Sequence, residues 1–236
     1  TGTTSFISNA NFTLKNLKIS NLNTENFIKQ NKDNLFISHC IFTNNDAVLV
    51  YNNGFTSLTK SILLNNSKIV DGSINDCVLD YNWWGNVPSE LSNYITLNLT
   101  SDVNALENNQ KTNVKAVFYL NDGNKYTNLP DINLDVTVLN GVSSQSTVNI
   151  DSSFVYTLTA FDGGVLTLTY NNVNVSKSFE FLKSNPSISL ETNDIMFGDN
   201  VVITVTTPSD AEGNITVDVG NFSQTKVIRS AKSTFT

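Results

Sequence analysis

The stretch Leu14–Ile19, LKNLKI, carries a three-position spacing, at residues 14, 17 and 19, that decides the fold. The spacing recurs in ISHCIF, LTKSIL and INDCVL, where it falls on Ile37, Cys40 and Phe42, on Leu58, Ser61 and Leu63, and on Ile74, Cys77 and Leu79. Successive copies begin 23, 21 and 16 residues apart. A period in this range is typical of stacked structural units, each too small to bury its apolar face alone.

Each copy is followed by the features of a strand–turn–strand coil. An asparagine comes two residues later in three copies, at Asn21, Asn44 and Asn65, and a second apolar run follows it. Asparagine tolerates the left-handed backbone of a tight bend, and stacked amides can hydrogen-bond along a ladder. The pattern predicts a parallel β-helix over residues 1–90, with an inward asparagine ladder that Tyr81 interrupts in the fourth coil.

The composition favours a folded extracellular protein. Of 236 residues, 37 are Asn, 15% are charged and 39% are hydrophobic, which suits two or three packed domains. The net charge of −7 argues against nucleic acid and anionic membranes as partners. No apolar stretch approaches the length of a membrane span. Because the chain begins inside a repeat, we expect it to be a piece of a longer protein.

The two cysteines, Cys40 and Cys77, occupy the same position in copies two coils apart. Stacked strands lie about 4.8 Å apart, so this register separates their Cα atoms by roughly 10 Å, beyond disulfide reach. We therefore expect two buried free thiols that pack as small hydrophobic side chains.

Short alternating strands follow the repeats. Apolar residues alternate in runs from Ile95 to Phe181, separated by turns such as Asn140-Gly141. Period-two alternation between turn signals is typical of antiparallel sheets. Six or seven such strands favour an Ig-like β-sandwich at residues 91–184, without the Cys-Trp-Cys pattern of antibodies.

A partial second Ig-like domain is predicted at residues 185–236, after a linker at Lys183–Pro186. It offers about four strands, which are too few to close a sandwich. We expect its unpaired edge to be mobile or to be completed by a strand of another chain.

Several motifs carry a resemblance to a known family: NWWGNVP at Asn82–Pro88, NDG at Asn121–Gly123, LPDI at Leu129–Ile132 and FGDNV at Phe197–Val201. Through them, and over essentially its whole length, the chain resembles the adhesin-like surface proteins of methanogenic archaea. The resemblance implies a right-handed parallel β-helix of the pectin-lyase type that ends at the double-tryptophan motif and is followed by Ig-like repeats.

The resemblance also implies a function. A fragment of such an adhesin presents its β-helix on an Ig-like stalk, outside the cell, to other cell surfaces, glycans or surface proteins, without inserting into the membrane. Two alternatives remain open. The chain could be a fragment of a β-helix carbohydrate-active enzyme, a polysaccharide lyase or hydrolase, whose catalytic coils are missing. It could also be a structural envelope protein with no ligand.

The tryptophan pair Trp83 and Trp84 has two interpretations. Two aromatic rings at the end of a β-helix could stack on sugar rings and bind glycans. The alternative, which we favour, is that they cap the open core of the last coil, where each ring buries a large apolar area. Gly85 and Pro88 then form the exit turn.

Asparagine sequons mark candidate N-glycosylation sites at Asn11, Asn98, Asn174, Asn214 and Asn221. A sixth sequon, at Asn65, is excluded because the predicted ladder directs its side chain inward.

We expect no catalytic residues, no metal-binding residues and no cofactor. Polysaccharide cleavage needs two carboxylates at a defined separation, or a base beside a metal or arginine. The β-helix has only dispersed acids, at Asp33, Asp46, Asp71, Asp76 and Asp80, and the only histidine, His39, is expected on the surface. Two weaker hypotheses are a calcium loop at Asp210–Asn214 and a Lys115–Asn isopeptide bond assisted by Glu180, although both Lys115 and Glu180 are predicted to face outward.

Overall fold

The protein is all-β, and its first twelve strands form a β-solenoid. The structure, a computed structural model, describes residues 2–85, 91–183, 188–194, 196, 198–208 and 211–236. The solenoid strands are β1 Gly2–Ser8, β2 Phe12–Lys15, β3 Lys18–Ser20, β4 Asn23–Gln30, β5 Asn34–Ser38, β6 Ile41–Thr43, β7 Asp46–Asn52, β8 Phe55–Thr59, β9 Ile62–Leu64, β10 Lys68–Gly72, β11 Cys77–Val78 and β12 Asn82–Trp83, with a 3-10 helix at Ile74–Asp76.

Four coils each contribute one strand to each of three parallel sheets. The first sheet has the order β1-β4-β7-β10, the second has β2-β5-β8-β11, and the third contains β3-β6-β9-β12. The apolar spacing of the sequence forms inward columns, because Leu14 pairs with Ile37 and Ile37 pairs with Leu58. Full burial of one such side chain stabilises the fold by about 1.5–3 kcal/mol. The predicted stacking of coils is confirmed.

The fourth coil has a different register from the one predicted. Cys77 pairs with Thr56 and Trp83 pairs with Ile62, so the fourth copy of the spacing is Leu79, Asn82 and Trp84. The copies then begin 23, 21 and 21 residues apart. Ile74 lies instead in the exposed 3-10 helix. The prediction was wrong because INDCVL has the apolar spacing by coincidence, 16 residues after the third copy, whereas the true copy begins 21 residues after it.

Left-handed residues turn the chain at two corners of a coil, one between the second and third sheets and one between the third sheet and the first sheet of the next coil. The first column of such residues is Asn16, His39, Lys60 and Tyr81, and the second is Asn21, Asn44 and Asn65, all with φ between 54° and 61°. Tyr81 therefore belongs to the first column and does not interrupt the asparagine column. The left-handed conformation expected of the asparagines is confirmed.

The asparagine column faces outward, and the predicted inward ladder is wrong. Asn21 and Asn65 are exposed. Nδ2 of Asn65 donates to Oδ1 of Asn44 at 3.2 Å on the outer surface. The next residue of each coil turns inward instead: Asn45 is 1% exposed and its Nδ2 donates to Oδ1 of Asn66 at 2.7 Å. A ladder exists, but it lies one residue further along the chain.

Buried polar side chains satisfy the main chain at one of these left-handed corners and at the third corner of the coil. Asn82 is fully buried, its Nδ2 donates to the carbonyl oxygens of Leu58 and Leu79 at 2.7 and 2.8 Å, and its Oδ1 accepts the N–H of Ser61 at 2.8 Å. Between the first and second sheets, Nε2 of Gln30 donates to the carbonyl of Asp33 at 2.6 Å. Buried main-chain groups without partners are costly, so these side chains hold the corners in place.

Both cysteines are free, as expected, but they do not share a column. Cys40 is buried beside Ser61, whose Oγ accepts its N–H at 3.1 Å. Cys77 lies on β11 in the column of Thr56 and is only half-buried. The shift of register in the fourth coil accounts for the difference.

Nine strands follow the solenoid and form a two-sheet module. They are β13 Tyr94–Ser101, β14 Ala105–Leu106, β15 Lys111–Leu120, β16 Asn133–Leu139, β17 Gly141–Ser143, β18 Thr147–Asn149, β19 Ser153–Leu158, β20 Gly164–Tyr170 and β21 Val173–Phe181. One sheet has the order β14-β21-β20-β16-β18, and the other contains β17-β19-β15-β13. Their facing side chains share one core, which includes Phe118, Phe154, Leu166 and Phe179.

The solenoid and the two-sheet module are continuous. Strand β13 pairs in parallel with β12 and antiparallel with β15. The third solenoid sheet therefore extends into an eight-stranded sheet, β17-β19-β15-β13-β12-β9-β6-β3. The core is continuous as well, because Ile62, Leu64 and Trp83 pack in the same cluster as Phe118.

Five further strands form a terminal module: β22 Ser189–Thr192, β23 Ile203–Thr206, β24 Asn214–Val219, β25 Phe222–Val227 and β26 Lys232–Phe235. They make a three-stranded sheet, β22-β23-β26, and a hairpin, β24-β25. Ser184–Pro186 of the predicted linker, Phe197 and Asp210 lie outside the described residues. So do Asn86, Val87 and Pro88 of the predicted exit turn.

Replacing Asn82 by alanine is expected to destabilise the protein by about 3 kcal/mol, because one buried N–H and two buried carbonyls lose their partner. Urea unfolding followed by tryptophan fluorescence measures the change in the free energy of unfolding, since Trp83 and Trp84 directly follow Asn82 in the sequence. The control is Asn31→Ala, which removes an exposed bond to Asn9 and should change stability by less than about 0.5 kcal/mol. Equal shifts for the two variants contradict the role given to Asn82.

Lys60→Asn is expected to stabilise the protein by about 0.5–1 kcal/mol, because Lys60 has a φ of 54° and asparagine adopts this conformation at less cost. The matched control, Lys32→Asn, changes an exposed lysine outside the left-handed columns. Thermal unfolding compares both with the parent. A lower melting temperature for Lys60→Asn than for Lys32→Asn argues against backbone strain at this corner.

Candidate binding cavity at the end of the solenoid

The two tryptophans of the NWWG motif face different cores. Trp83 is 2% exposed, and its ring lies 5.1 Å from Phe118 and 6.2 Å from Tyr170, measured between centroids. Trp84 is half-buried and packs against the solenoid core. Adjacent residues of an extended strand point to opposite sides, which explains the division. Trp83 is therefore inaccessible to a sugar, whereas Trp84 reaches the surface.

Gly85 allows the close approach at this junction. Its φ is 73°, and an added Cβ would lie 2.9 Å from Cγ2 of Val173 and 3.1 Å from Cδ2 of Leu64. A side chain at this position would clash with both the two-sheet module and the solenoid. The glycine of the motif thus meets a steric requirement as well as a conformational one.

Trp84 lines a cavity of about 550 Å³ at the end of the fourth coil, here called the Trp84 cavity. Among the described residues, strand β13 extends only the third sheet, and the first and second sheets end at β10 and β11. Their last inward side chains are consequently not covered by a further strand of these sheets. The lining residues are Ile69, Val70, Ile74, Asn75, Cys77, Val78, Leu79, Asp80, Trp84, Leu91 and Ser92.

A few polar groups stand among the apolar walls of the Trp84 cavity. Asp80 is half-buried, and its Oδ1 accepts the N–H of Asn93 at 3.2 Å. Asn75 and Ser92 are exposed. Nε1 of Trp84 is buried and has no hydrogen-bond partner among the described residues. An aromatic wall with a small number of hydrogen-bonding groups is a common composition of ligand pockets.

Cys77 is the one thiol of this cavity. Its Sγ accepts a hydrogen bond from Nδ2 of Asn52 at 3.4 Å and lies 3.6 Å from the carbonyl oxygen of Ser73. Burial raises the pKa of the Cys77 thiol, and the hydrogen bond from Asn52 opposes this shift. The pKa of Cys40 is also raised by burial. Both side chains are therefore mainly neutral thiols at neutral pH.

The acidic side chains of the solenoid are dispersed. Asp71 forms an ion pair with Lys68 at 2.9 Å, and hydrogen bonds from Lys68 and from the N–H of Gly72 lower its pKa. Asp33 lies in a left-handed turn, and Oδ1 of Asp46 accepts the hydroxyl of Ser67. Asp76 lies in the exposed 3-10 helix. Of these five acids only Asp80 lines the Trp84 cavity.

No metal-binding cluster of three or more His, Cys, Asp or Glu side chains occurs in the part of the chain that the structure describes. His39 contacts the two-sheet module, because its Nε2 lies 3.0 Å from Oδ1 of Asn128. Lys115 and Glu180, considered for an isopeptide bond, are both exposed. None of the helices formed by the described residues is long and apolar enough to cross a membrane.

The sequons lie on the surface. Asn11, Asn98, Asn174, Asn214 and Asn221 are all exposed. Asn65 is exposed too, contrary to the reason given for excluding it. Its Nδ2, the atom that carries a glycan, donates to the carbonyl of Asn171 in the two-sheet module at 2.7 Å. A glycan on Asn65 would therefore disrupt the contact between solenoid and module.

Comparison with protein-family models, curated proteins and solved structures finds no match to this chain. The interpretation of the site therefore rests on its own residues. Sequence reasoning identified Trp84 but missed the cavity around it. A strict 21-residue step from Leu58 leads to Leu79, and that register would have placed Asp80 and Trp84 at the end of one coil.

Alkylation should distinguish the two thiols. At pH 8 we expect iodoacetamide to modify Cys77 slowly, because its raised pKa lowers the thiolate fraction, and to leave the fully buried Cys40 intact. Peptide mass spectrometry of the labelled protein gives the two rates, and labelling in urea serves as the control in which both react. Faster labelling of Cys40 than of Cys77 in the folded protein contradicts the structure.

Proposed function

We propose that this chain is part of an extracellular, adhesin-like cell-surface protein similar to those of methanogenic archaea. In this proposal a right-handed β-helix of the pectin-lyase type, residues 1–90, is carried on an Ig-like domain at residues 91–184 and a partial Ig-like domain at residues 185–236. The protein binds glycans or proteins of other surfaces and does not cleave them. The polar, weakly charged composition supports an exposed location.

The observation that carries the proposal is the eight-stranded sheet that runs from the solenoid into the two-sheet module. A sheet and a core that continue through a junction leave no flexible hinge between the two parts. Trp83, buried between Ile62, Phe118 and Tyr170, fills the junction. Such a connection suits a binding element that is held in a fixed orientation on a stalk.

The strand order supports an Ig-like module. Strands β15 and β19 lie in one sheet, β16 and β20 lie in the other, and the two sheets pack around a common apolar core. Chain crossings between two antiparallel sheets are typical of Greek-key sandwiches.

The Trp84 cavity is the surface we assign to glycan contact. Its tryptophan ring can stack on the C–H face of a sugar, while Asp80, Asn75 and Ser92 offer hydrogen bonds to hydroxyl groups. Among the described lining residues Asp80 is the one carboxylate, which fits binding better than hydrolysis, since hydrolysis uses a pair of carboxyl groups.

Immobilised glycans from microbial and host surfaces test the proposal. We expect saturable binding to one class of glycan without its cleavage. Asp80→Asn and Asn75→Ala should each weaken binding roughly tenfold, which corresponds to the loss of one good hydrogen bond. Asn9→Ala, an exposed change in the first coil, is the matched control and should leave affinity unchanged. Alkylation of Cys77 should also block binding, since Cys77 lines the cavity.

Other outcomes assign other functions. If the chain binds none of the immobilised glycans, glycan recognition by this chain is contradicted and a structural segment is favoured. Binding accompanied by shortening of the glycan favours the carbohydrate-active enzyme. Binding that is unaffected by Asp80→Asn, Asn75→Ala and Cys77 alkylation moves the contact away from the Trp84 cavity.

A further inference from the structure

The Trp84 cavity combines apolar walls with a few polar groups. Five of its lining residues belong to the apolar core of the solenoid or pack against it: Ile69, Val70, Cys77, Leu79 and Trp84. The polar side chains among the described lining residues are Asn75, Asp80 and Ser92. A ligand that fills the cavity must therefore present an apolar group as well as hydrogen-bonding groups.

A plain hexose matches these apolar walls poorly. One face of its ring carries C–H groups that can stack on Trp84, but hydroxyl groups surround the rest of the ring. A hydroxyl placed against Ile69 or Leu79 would lose its hydrogen bonds to water without gaining others, which costs free energy. A methyl group in the same place makes the apolar contact without that loss. The walls therefore favour a sugar with a methyl-bearing substituent.

Asp80 specifies the polar part of that substituent. Its Oδ1 accepts the main-chain N–H of Asn93 at 3.2 Å, whereas the described residues donate no hydrogen bond to its Oδ2. An ionised carboxylate only accepts hydrogen bonds, so Oδ2 needs a donor from the ligand. An acetamido group carries an N–H donor and a methyl group on one planar amide. It meets both requirements with a single substituent.

The charge of the cavity selects a neutral ligand. Asp80 is the only charged side chain among the described lining residues, and the whole chain has a net charge of −7. A carboxylate on the ligand would be repelled by Asp80 and would find no lysine, arginine or histidine in the described lining. A protonated amino sugar would pair with Asp80 but would lack the methyl group that the apolar walls favour.

We propose that the Trp84 cavity binds a neutral sugar with an acetamido group, the class of the N-acetylhexosamines. This assignment rests on the glycan contact proposed for the cavity and names the class of sugar. In the complex the C–H face of the ring stacks on Trp84. The acetamido N–H donates to Oδ2 of Asp80, and the acetamido methyl packs against Ile69 and Leu79. The ring hydroxyls remain for Asn75 and Ser92.

Ligand-observed NMR titrations of the full chain with methyl glycosides test the class of sugar. N-acetylglucosamine and N-acetylgalactosamine are each compared with the parent hexose, the free amine, the N-formyl analogue and a 6-deoxyhexose. We expect one N-acetylated sugar to bind at least tenfold more tightly than its parent hexose and its free amine. The N-formyl analogue, which lacks the methyl group, should bind about fourfold more weakly. The acetamido methyl protons should receive the largest saturation from the protein.

Asp80→Asn tests the hydrogen bond to the acetamido group. The variant keeps an oxygen for the N–H of Asn93 but places an NH2 group where Oδ2 stood, so the acetamido N–H meets a donor. We expect the preference for the N-acetylated sugar over its parent hexose to fall roughly tenfold. Asn75→Ala is the matched control, and it should weaken both sugars alike and leave their ratio unchanged. Circular dichroism should show that both variants remain folded, because Asp80 is half-buried and Asn75 is exposed.

The outcomes separate this assignment from the proposed function. Saturable binding of hexoses or 6-deoxyhexoses without preference for the acetamido group overturns the assignment and leaves glycan binding in place. Preference for the free amine also overturns it and assigns Asp80 to an ammonium group. A preference that survives Asp80→Asn or alkylation of Cys77 overturns the Trp84 cavity as its site. If neither these sugars nor the immobilised glycans bind, the proposed function and the assignment are both contradicted.

Discussion

The solenoid depends on supplying hydrogen-bond partners to the main chain at the corners of each coil. Strands within a sheet satisfy one another, but at a corner the chain leaves the ladder while it is still buried. Side-chain amides and hydroxyls solve the problem here. Asn82 bonds the main chain of three residues, Asn45 bonds the main chain of Leu22 and Ile19, and Gln30 bonds the carbonyls of Asp33 and Phe55. The high asparagine content of the chain is partly explained by this requirement.

The same corners explain why some asparagines are outside and others inside. A left-handed residue, such as Asn44, turns the chain and directs its own side chain outward, so that the following residue, Asn45, faces the core. Asparagine suits both positions for different reasons, tolerance of positive φ in the first and two-sided hydrogen bonding in the second. Two neighbouring columns that are both rich in asparagine therefore have separate physical roles.

These two roles of asparagine explain which features of the fold could be predicted from the sequence and which could not. The stacked coils and the left-handed asparagines follow from residue type and period, and both were predicted. The direction of Asn65 was not, although the predicted left-handed backbone is the feature that directs its side chain outward. The register of the fourth coil was missed because Ile74, Cys77 and Leu79 match the apolar spacing by chance. A repeat of constant length would have favoured Leu79, Asn82 and Trp84.

The position of the cavity could not be predicted from any local pattern. It arises because β13 continues one sheet of the solenoid while no strand of the described residues continues the other two, and that is a property of the junction as a whole. Trp83 and Trp84 look equivalent in the sequence, yet one lies in the shared core and the other beside an open end. Only the path of the chain after the motif separates them.

Because the third sheet is continuous, the length of the solenoid can change only by whole coils. Each coil contacts only its neighbours, so a coil of 21 residues, the step from Leu58 to Leu79, can be duplicated or lost without altering the junction at Trp83. One such event moves the far end of the solenoid by about 4.8 Å along its axis, the spacing of adjacent strands. Length can thus vary by recombination within the repeats while the orientation of the solenoid on the module stays constant.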